Sequence, residues 1–200
     1  VLTDKPARKG VQTRERLLAA ATAEFMRAGM AAADTSAIAS AAGVAHATFF
    51  FHFPTKEHVL LELEKREEDR MAAELTRAFA KPHALRDTLA ECFRVLEKLE
   101  RRLGGPLFRD FLALHFSASR PPSDEWRYHP VIVTVVEELG HARDRGEIPA
   151  DVDIVHNGVT FLVGLYALLM SIPAAPKARR PFIDEYVTTY MYGLRALRPG

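Results

Sequence analysis

The sequence predicts an all-α fold, with three small helices in front and a larger helical bundle behind. Three observations carry this. Apolar residues recur with helical spacing nearly throughout. No alternating run is bounded by turn residues in the manner of a hairpin. Clusters of Gly and Pro break the pattern at intervals that suit helices. Size and composition agree: 200 residues, 48% hydrophobic and 26% charged, the mix of a soluble globular chain long enough for a sizeable core.

The first helix is expected from about Thr13 to Ala28, with Leu17, Leu18, Ala21, Phe25 and Ala28 on one face and Gly29 as its left-handed cap. Asp34 can cap a short helix through Ala42, which Gly43 ends. A second short helix begins near Ala45 or His46 and stops around His52, before Pro54. Thr55 or its neighbour can cap a long charged helix to about Ala80, which Lys81-Pro82 breaks. Further helices are expected at about Ala84–Leu103, Leu107–Ala118, Tyr128–Arg145, Asp151–Ile172 and Pro181–Leu197. The separators are Gly104-Gly105-Pro106, Arg120-Pro121-Pro122-Ser123, Gly146-Glu147-Ile148-Pro149 and Pro173 to Arg180.

Charge narrows the function classes. A formal net charge of +1 excludes a globally basic nucleic-acid coat and an acidic disordered chain. Through Lys56, seven basic residues stand against four acidic ones, so the remainder is mildly acidic. Such a head suits an anionic partner, although chance explains so small an excess about as well. The single cysteine, Cys92, excludes an internal disulfide framework and a Cys-rich zinc module. No apolar signal-peptide core opens the chain, which predicts a cytoplasmic protein.

The two short helices have a mechanical logic. Ala39 is small enough for them to cross closely, and Gly43 can take the positive φ of a sharp turn. Ile38, Val44 and Phe49 are spaced to fill the wedge against the first helix. Spacing alone leaves two readings open, an ordinary helix hairpin and a helix-turn-helix whose second helix enters a major groove.

The residues Thr13-Arg14-Glu15-Arg16-Leu17-Leu18-Ala19-Ala20-Ala21, Phe25, Gly29, Ile38-Ala39, Ala42-Gly43-Val44, Thr48 and His52-Phe53-Pro54-Thr55-Lys56-Glu57 closely resemble the TetR-type repressor signature. The match covers about Thr13 to Leu61; beyond it only the number and order of helices are similar. The resemblance implies a ligand-responsive regulator of transcription, a homodimer that binds a palindromic double-stranded DNA operator and is released by a small-molecule effector. It places the arm and DNA-binding head at 1–56 and the ligand-binding and dimerisation body at 57–200. By position it implies that Thr48 and Lys56 meet phosphates, and that His46, Ala47 and Phe50 face the groove. His52, at the end of that helix, and Asp34 and Thr35, at the start of the preceding one, are expected at the DNA as well. Arg14, with Arg8 and Lys9, is expected to follow the DNA backbone or enter the minor groove as an arm.

Two features depart from the family. Its tyrosine pair is Phe50 and Phe51 here, which removes two hydroxyls that donate to phosphates, and Asp34 stands where Ser or Thr is usual. They motivate an alternative, a small-molecule-binding or interaction bundle whose head has lost tight operator binding.

Behind the head, Ile154 to Pro176 holds no Asp, Glu, Lys or Arg, which is long enough to consider a membrane span. His156, Asn157, Gly158, Thr160, Gly164 and Ser171 within it favour a buried helix and no membrane. Gly164 and Leu168 on this helix, with Ile183, Val187, Tyr190 and Met191 on the last one, are expected at a dimer interface; closure of the monomer's own core is the competing reading. Phe93, Phe108, Phe111, Leu112, His115, Trp126, Phe161 and Tyr166 are the expected lining of an apolar effector site, although such a stripe is more often plain core. Neither a catalytic constellation, a zinc spacing nor a phosphate loop is found, so no enzyme, metal or cofactor is predicted.

Overall fold

A computed structural model describes residues 5–122, 129–172 and 176–196. Among these residues every regular element is helical: α1 (Lys5–Ala28), α2 (Thr35–Ala41), α3 (His46–His52), α4 (Lys56–Phe79), α5 (Leu85–Leu114), α6 (Pro130–Asp144), α7 (Ile154–Ser171) and α8 (Pro176–Ala196). The chain condenses into two compact units, one of residues 1–66 with 101–121 and one of residues 67–100 with 122–200.

In the first unit, Leu17, Leu18, Ala21 and Phe25 of α1 bury the expected face; Ile38 and Ala39 of α2, Phe49 of α3, and Phe53 join them. Gly43 sits at φ 66° in the turn, where any side chain would be strained. Its N–H bonds the Ser40 carbonyl at 3.0 Å and the next N–H bonds Ala39 at 3.0 Å, so the turn is closed by backbone alone. α1 begins eight residues earlier than the apolar pattern implied, at Lys5. Within the added stretch Lys9, Val11 and Gln12 are exposed, which leaves no apolar period to read there.

The break expected at Gly104-Gly105-Pro106 is present as a kink within α5: Gly104 adopts φ 71° and ψ 160°. Beyond it Leu107, Phe108, Phe111 and Leu112 are all buried within the first unit. There the Asp110 carboxylate accepts the Met30 N–H at 2.6 Å. Buried Glu64 holds His115 at 2.8 Å and Arg120 at 2.9 Å, which gives an otherwise costly carboxylate its partners.

In the second unit, Met71, Leu75, Leu89, Leu96, Val135, Leu139, Phe161, Leu165 and Val187 are all buried and make up much of the apolar interior. Glu138, also buried, is bonded by His83 at 3.0 Å and Arg145 at 3.1 Å. α7 is apolar enough to cross a membrane by length and composition, with mean hydropathy 1.6. Gly158, Phe161, Leu162, Leu165, Tyr166 and Leu169 put one of its faces into the interior. α8 starts at Pro176, where a missing N–H costs little, and carries Pro181 in its interior, where the ring removes one backbone bond to the preceding turn.

Candidate nucleic-acid interface and effector cavity

α3 is only two turns long, so its position depends on what grips its ends. At its start, Thr35 Oγ1 lies 2.9 Å from His46 Nε2, tying α3 to the start of α2. The His46 ring meets Phe50 edge-on at 5.1 Å, and Phe50 meets buried Phe49 the same way at 5.2 Å. Thr35, His46 and Phe50 are therefore brought together. Ala47 is exposed beside them and Thr48 half-buried. Asp34 turns back on its own helix: its carboxylate accepts the Ser36 N–H at 2.8 Å as an N-cap.

The two cations nominated for phosphates both have partners inside the head. Lys56 Nζ donates to the carbonyls of Ala31 at 2.8 Å and Ala33 at 3.3 Å. An ammonium has three donors, so one is left over. Arg14 donates from Nη1 to the His52 carbonyl at 2.6 Å and from Nη2 to Glu62 at 3.1 Å. Its Cζ lies 4.1 Å from the centre of the Phe53 ring.

Phe51, which is not among the residues expected at DNA, is 84% exposed, and Phe50 is 45% exposed. A signal was present: Phe49, Phe50 and Phe51 are consecutive, and one helix face cannot bury all three.

In the second unit a small cavity of about 10 Å³ is lined by Met71, Leu75, Cys92, Val95, Leu96, Val131, Leu162 and Tyr166. That is about room for one water, and the lining offers little to hold one. Burial pushes the Cys92 thiol up to about 12, and it donates to the Thr88 carbonyl at 3.3 Å, so it stays a neutral packing group. Of the residues nominated for an effector, Tyr166 lines this cavity. Phe161 is buried against Tyr186 and Tyr190, at ring separations of 5.5 and 4.9 Å. Phe93 lines a separate groove of about 650 Å³, which Ile183 and Val187 also floor. Phe108, Phe111, Leu112 and His115 lie in the first unit, and Trp126 falls outside the described residues.

The residues nominated for a dimer interface are mostly used within one copy. Ile183 and Val187 are buried. Gly164 gives room to the Tyr186 hydroxyl, which would lie 2.3 Å from an added Cβ. Tyr190 donates to the Asn157 carbonyl; Leu168 and Met191 are half-buried. The apolar side chains left outside on these helices are Val155, Val163 and Met170 of α7, and Phe182 and Tyr192 of α8.

Residues 17–63 match the family of bacterial regulatory proteins named tetR. No curated protein sequence matches the chain. Among solved structures, the chain is similar to Thermus thermophilus FadR, a TetR-family transcriptional repressor in complex with lauroyl-CoA, at 24% identity, TM-score 0.70, and 94% and 99% coverage of the two chains. It is similar to RolR in complex with resorcinol at 17% identity, TM-score 0.72, and 97% and 98% coverage. Bacillus subtilis FadR in complex with stearoyl-CoA matches at 14% identity, TM-score 0.66, and 90% and 98% coverage. Residues 17–63 thus carry the tetR-family helix-turn-helix domain, and the chain as a whole has the fold of that family's transcriptional regulators.

Proposed function

We propose that this protein is a cytoplasmic homodimeric repressor, released from a palindromic DNA operator by a small, largely apolar molecule. The observation that carries the reading is the outer face of α3. His46, Ala47, Phe50 and Phe51 are exposed on a helix whose inner residue, Phe49, is fully buried. Functionally the chain divides after Lys56. Residues 1–56 meet DNA, through Thr35, His46, Ala47, Thr48, Phe50, Phe51, His52 and the spare donor of Lys56. Residues 57–200 take the effector and the second copy.

The cavity between α4, α5, α6 and α7 of the second unit supports the effector class, because its lining is apolar apart from the Cys92 thiol and the Tyr166 hydroxyl. At its present volume it admits no effector, so ligand must select a conformation with the cavity opened. Preference for that conformation lowers operator affinity by the same coupling energy. The outward residues Val155, Val163, Met170, Phe182 and Tyr192 support pairing through α7 and α8. The relatives that hold acyl-CoA or resorcinol make laurate, lauroyl-CoA and resorcinol the first probes to try.

The test is selection of duplexes from a random pool by the purified protein, followed by sequencing and sedimentation. A palindrome bound by two copies is expected, and Val163→Glu should yield monomers that bind it poorly. Failure to enrich any sequence would favour the alternative of a ligand-binding bundle with an inactive head.

A further inference from the structure

Arginine at position 14 invites assignment as a phosphate contact, yet its guanidinium is already in use on both its edge and its face. One edge nitrogen donates to the carbonyl of His52, the last residue of α3, at 2.6 Å. The other pairs with Glu62 of α4 at 3.1 Å. The plane lies over the Phe53 ring at 4.1 Å, and that ring is fully buried. A helix of seven residues has carbonyls at its end without intrahelical donors, and a cation there meets the negative end of the helix dipole. Glu62 is itself held by Arg66 at 3.0 Å, and Arg66 by Glu15 of α1 at 2.6 Å. One side chain of α1 therefore fixes the end of α3 against α4 through three contacts of different kinds.

We infer that Arg14 is a positioning residue for the recognition helix: it sets DNA affinity through the His52 carbonyl and the Phe53 ring, without itself binding phosphate. The inference rests on the DNA-binding reading above. It demands the planar fork of arginine, since a lysine ammonium can neither stack nor donate along two parallel directions. It also reverses the expected role of Glu62. An acidic residue beside a phosphate-binding arginine opposes DNA, whereas one that anchors a positioning arginine supports it.

The experiment uses the full-length protein and a duplex selected from a random pool, with a scrambled duplex of equal length as control. Binding is titrated against salt for wild type, Arg14→Ala, Arg14→Lys, Glu62→Gln and the Arg14→Ala/Glu62→Gln pair, each with its melting temperature. Arg14→Ala should weaken binding roughly tenfold or more, with the salt slope unchanged. Arg14→Lys should fail to rescue it. Glu62→Gln should also weaken binding, and the pair should be no worse than Arg14→Ala alone. A slope reduced by about one per subunit, rescue by lysine, or tighter binding by Glu62→Gln would overturn the inference. So would a lowered melting temperature with unchanged affinity, which marks a residue that only stabilises the fold. Should Arg14→Ala fail to fold, Glu62→Gln still decides by the sign of its effect. A wild type that binds no duplex overturns the DNA reading and this inference together, and is told apart by its own titration.

Discussion

The outer face of α3 and the outer faces of α7 and α8 both expose large apolar side chains, but they do so on different footings. On α3, exposed Phe50 and Phe51 stand on a helix tied at both ends, by Thr35 to His46 and by Arg14 to His52. On α7 and α8, Val155, Val163, Met170, Phe182 and Tyr192 belong to long helices whose opposite faces are already packed. A short helix gripped at its ends can present a rigid surface to a partner of different chemistry. A long apolar helix with its inner face filled suits more of the same surface, which a second copy would supply under the proposed function. The difference teaches what the proposed function asks of each unit: the first would present its surface to DNA as it stands, and the second would be completed by a partner or a ligand.

The comparison is sharpened most by removing the inner ring of α3. Phe49→Ala deletes a fully buried side chain and should cost about 3–5 kcal/mol, lost α3 structure and DNA binding appearing together in circular dichroism and titration. A small effect would mean that the ties at the ends, and not the core, hold α3. Next in size is Gly164→Ala. The new Cβ would lie 2.3 Å from the Tyr186 oxygen, so Tyr186 must move and give up its 2.8 Å bond to the Phe161 carbonyl. The expected loss is about 2–4 kcal/mol from overpacking and the broken bond, measured by urea denaturation. Gly164→Ala combined with Tyr186→Phe should recover part of it; an unaffected single variant would show that α7 and α8 are loosely packed.

Phe50→Tyr probes the outer face by addition. It restores a hydroxyl where the family carries one, and affinity should rise by about 0.5–1.5 kcal/mol per subunit on every duplex. Weaker binding confined to sites with thymine at one position would instead assign the ring to a thymine methyl. The smallest effect is acidic. A hydrogen bond from Arg66 holds the Glu15 carboxyl below its ordinary value of 4.5. Burial raises Glu62, but bonds from Arg14 and Arg66 outweigh it and leave that group lowered too. Their contribution is full above the unfolded value and disappears as pH falls through the lower folded values. Because Glu15 is half exposed, Glu15→Gln should shift stability at pH 7 by at most about a few tenths of a kcal/mol. Urea melts of the variant should lose less stability on acidification than wild type; identical acid limbs would remove the pair from the account.

The first unit was the more legible because its boundaries are local. Gly43, Asp34 and Pro54 act within a few residues, and Leu17, Phe25, Ile38 and Phe49 follow a period that a single strip of sequence displays. Arg14 and Lys56 were harder to read. Their partners are backbone carbonyls 38 and 25 residues away, and a carbonyl leaves no trace in a side-chain pattern. In the second unit, α7 is apolar on nearly every side, so its period cannot say which stripe faces inward. Ile183 and Val187 read equally well as inner or outer residues until α8 is seen against Phe93. The cavity depends on which side chains of four helices meet, including Met71 and Val131, which no local motif singles out.

The most direct test of the account is Phe51→Ala, because this ring is 84% exposed and meets the neighbouring His52 ring edge-on. Melting temperature and affinity for a selected duplex are measured on the same preparations. The account predicts stability within about 0.5 kcal/mol of wild type and a clear loss of affinity that persists at high salt, since an uncharged contact releases no counterions. Unchanged affinity on every duplex would contradict it, and would mean that the outer face of α3 is not the surface that meets DNA.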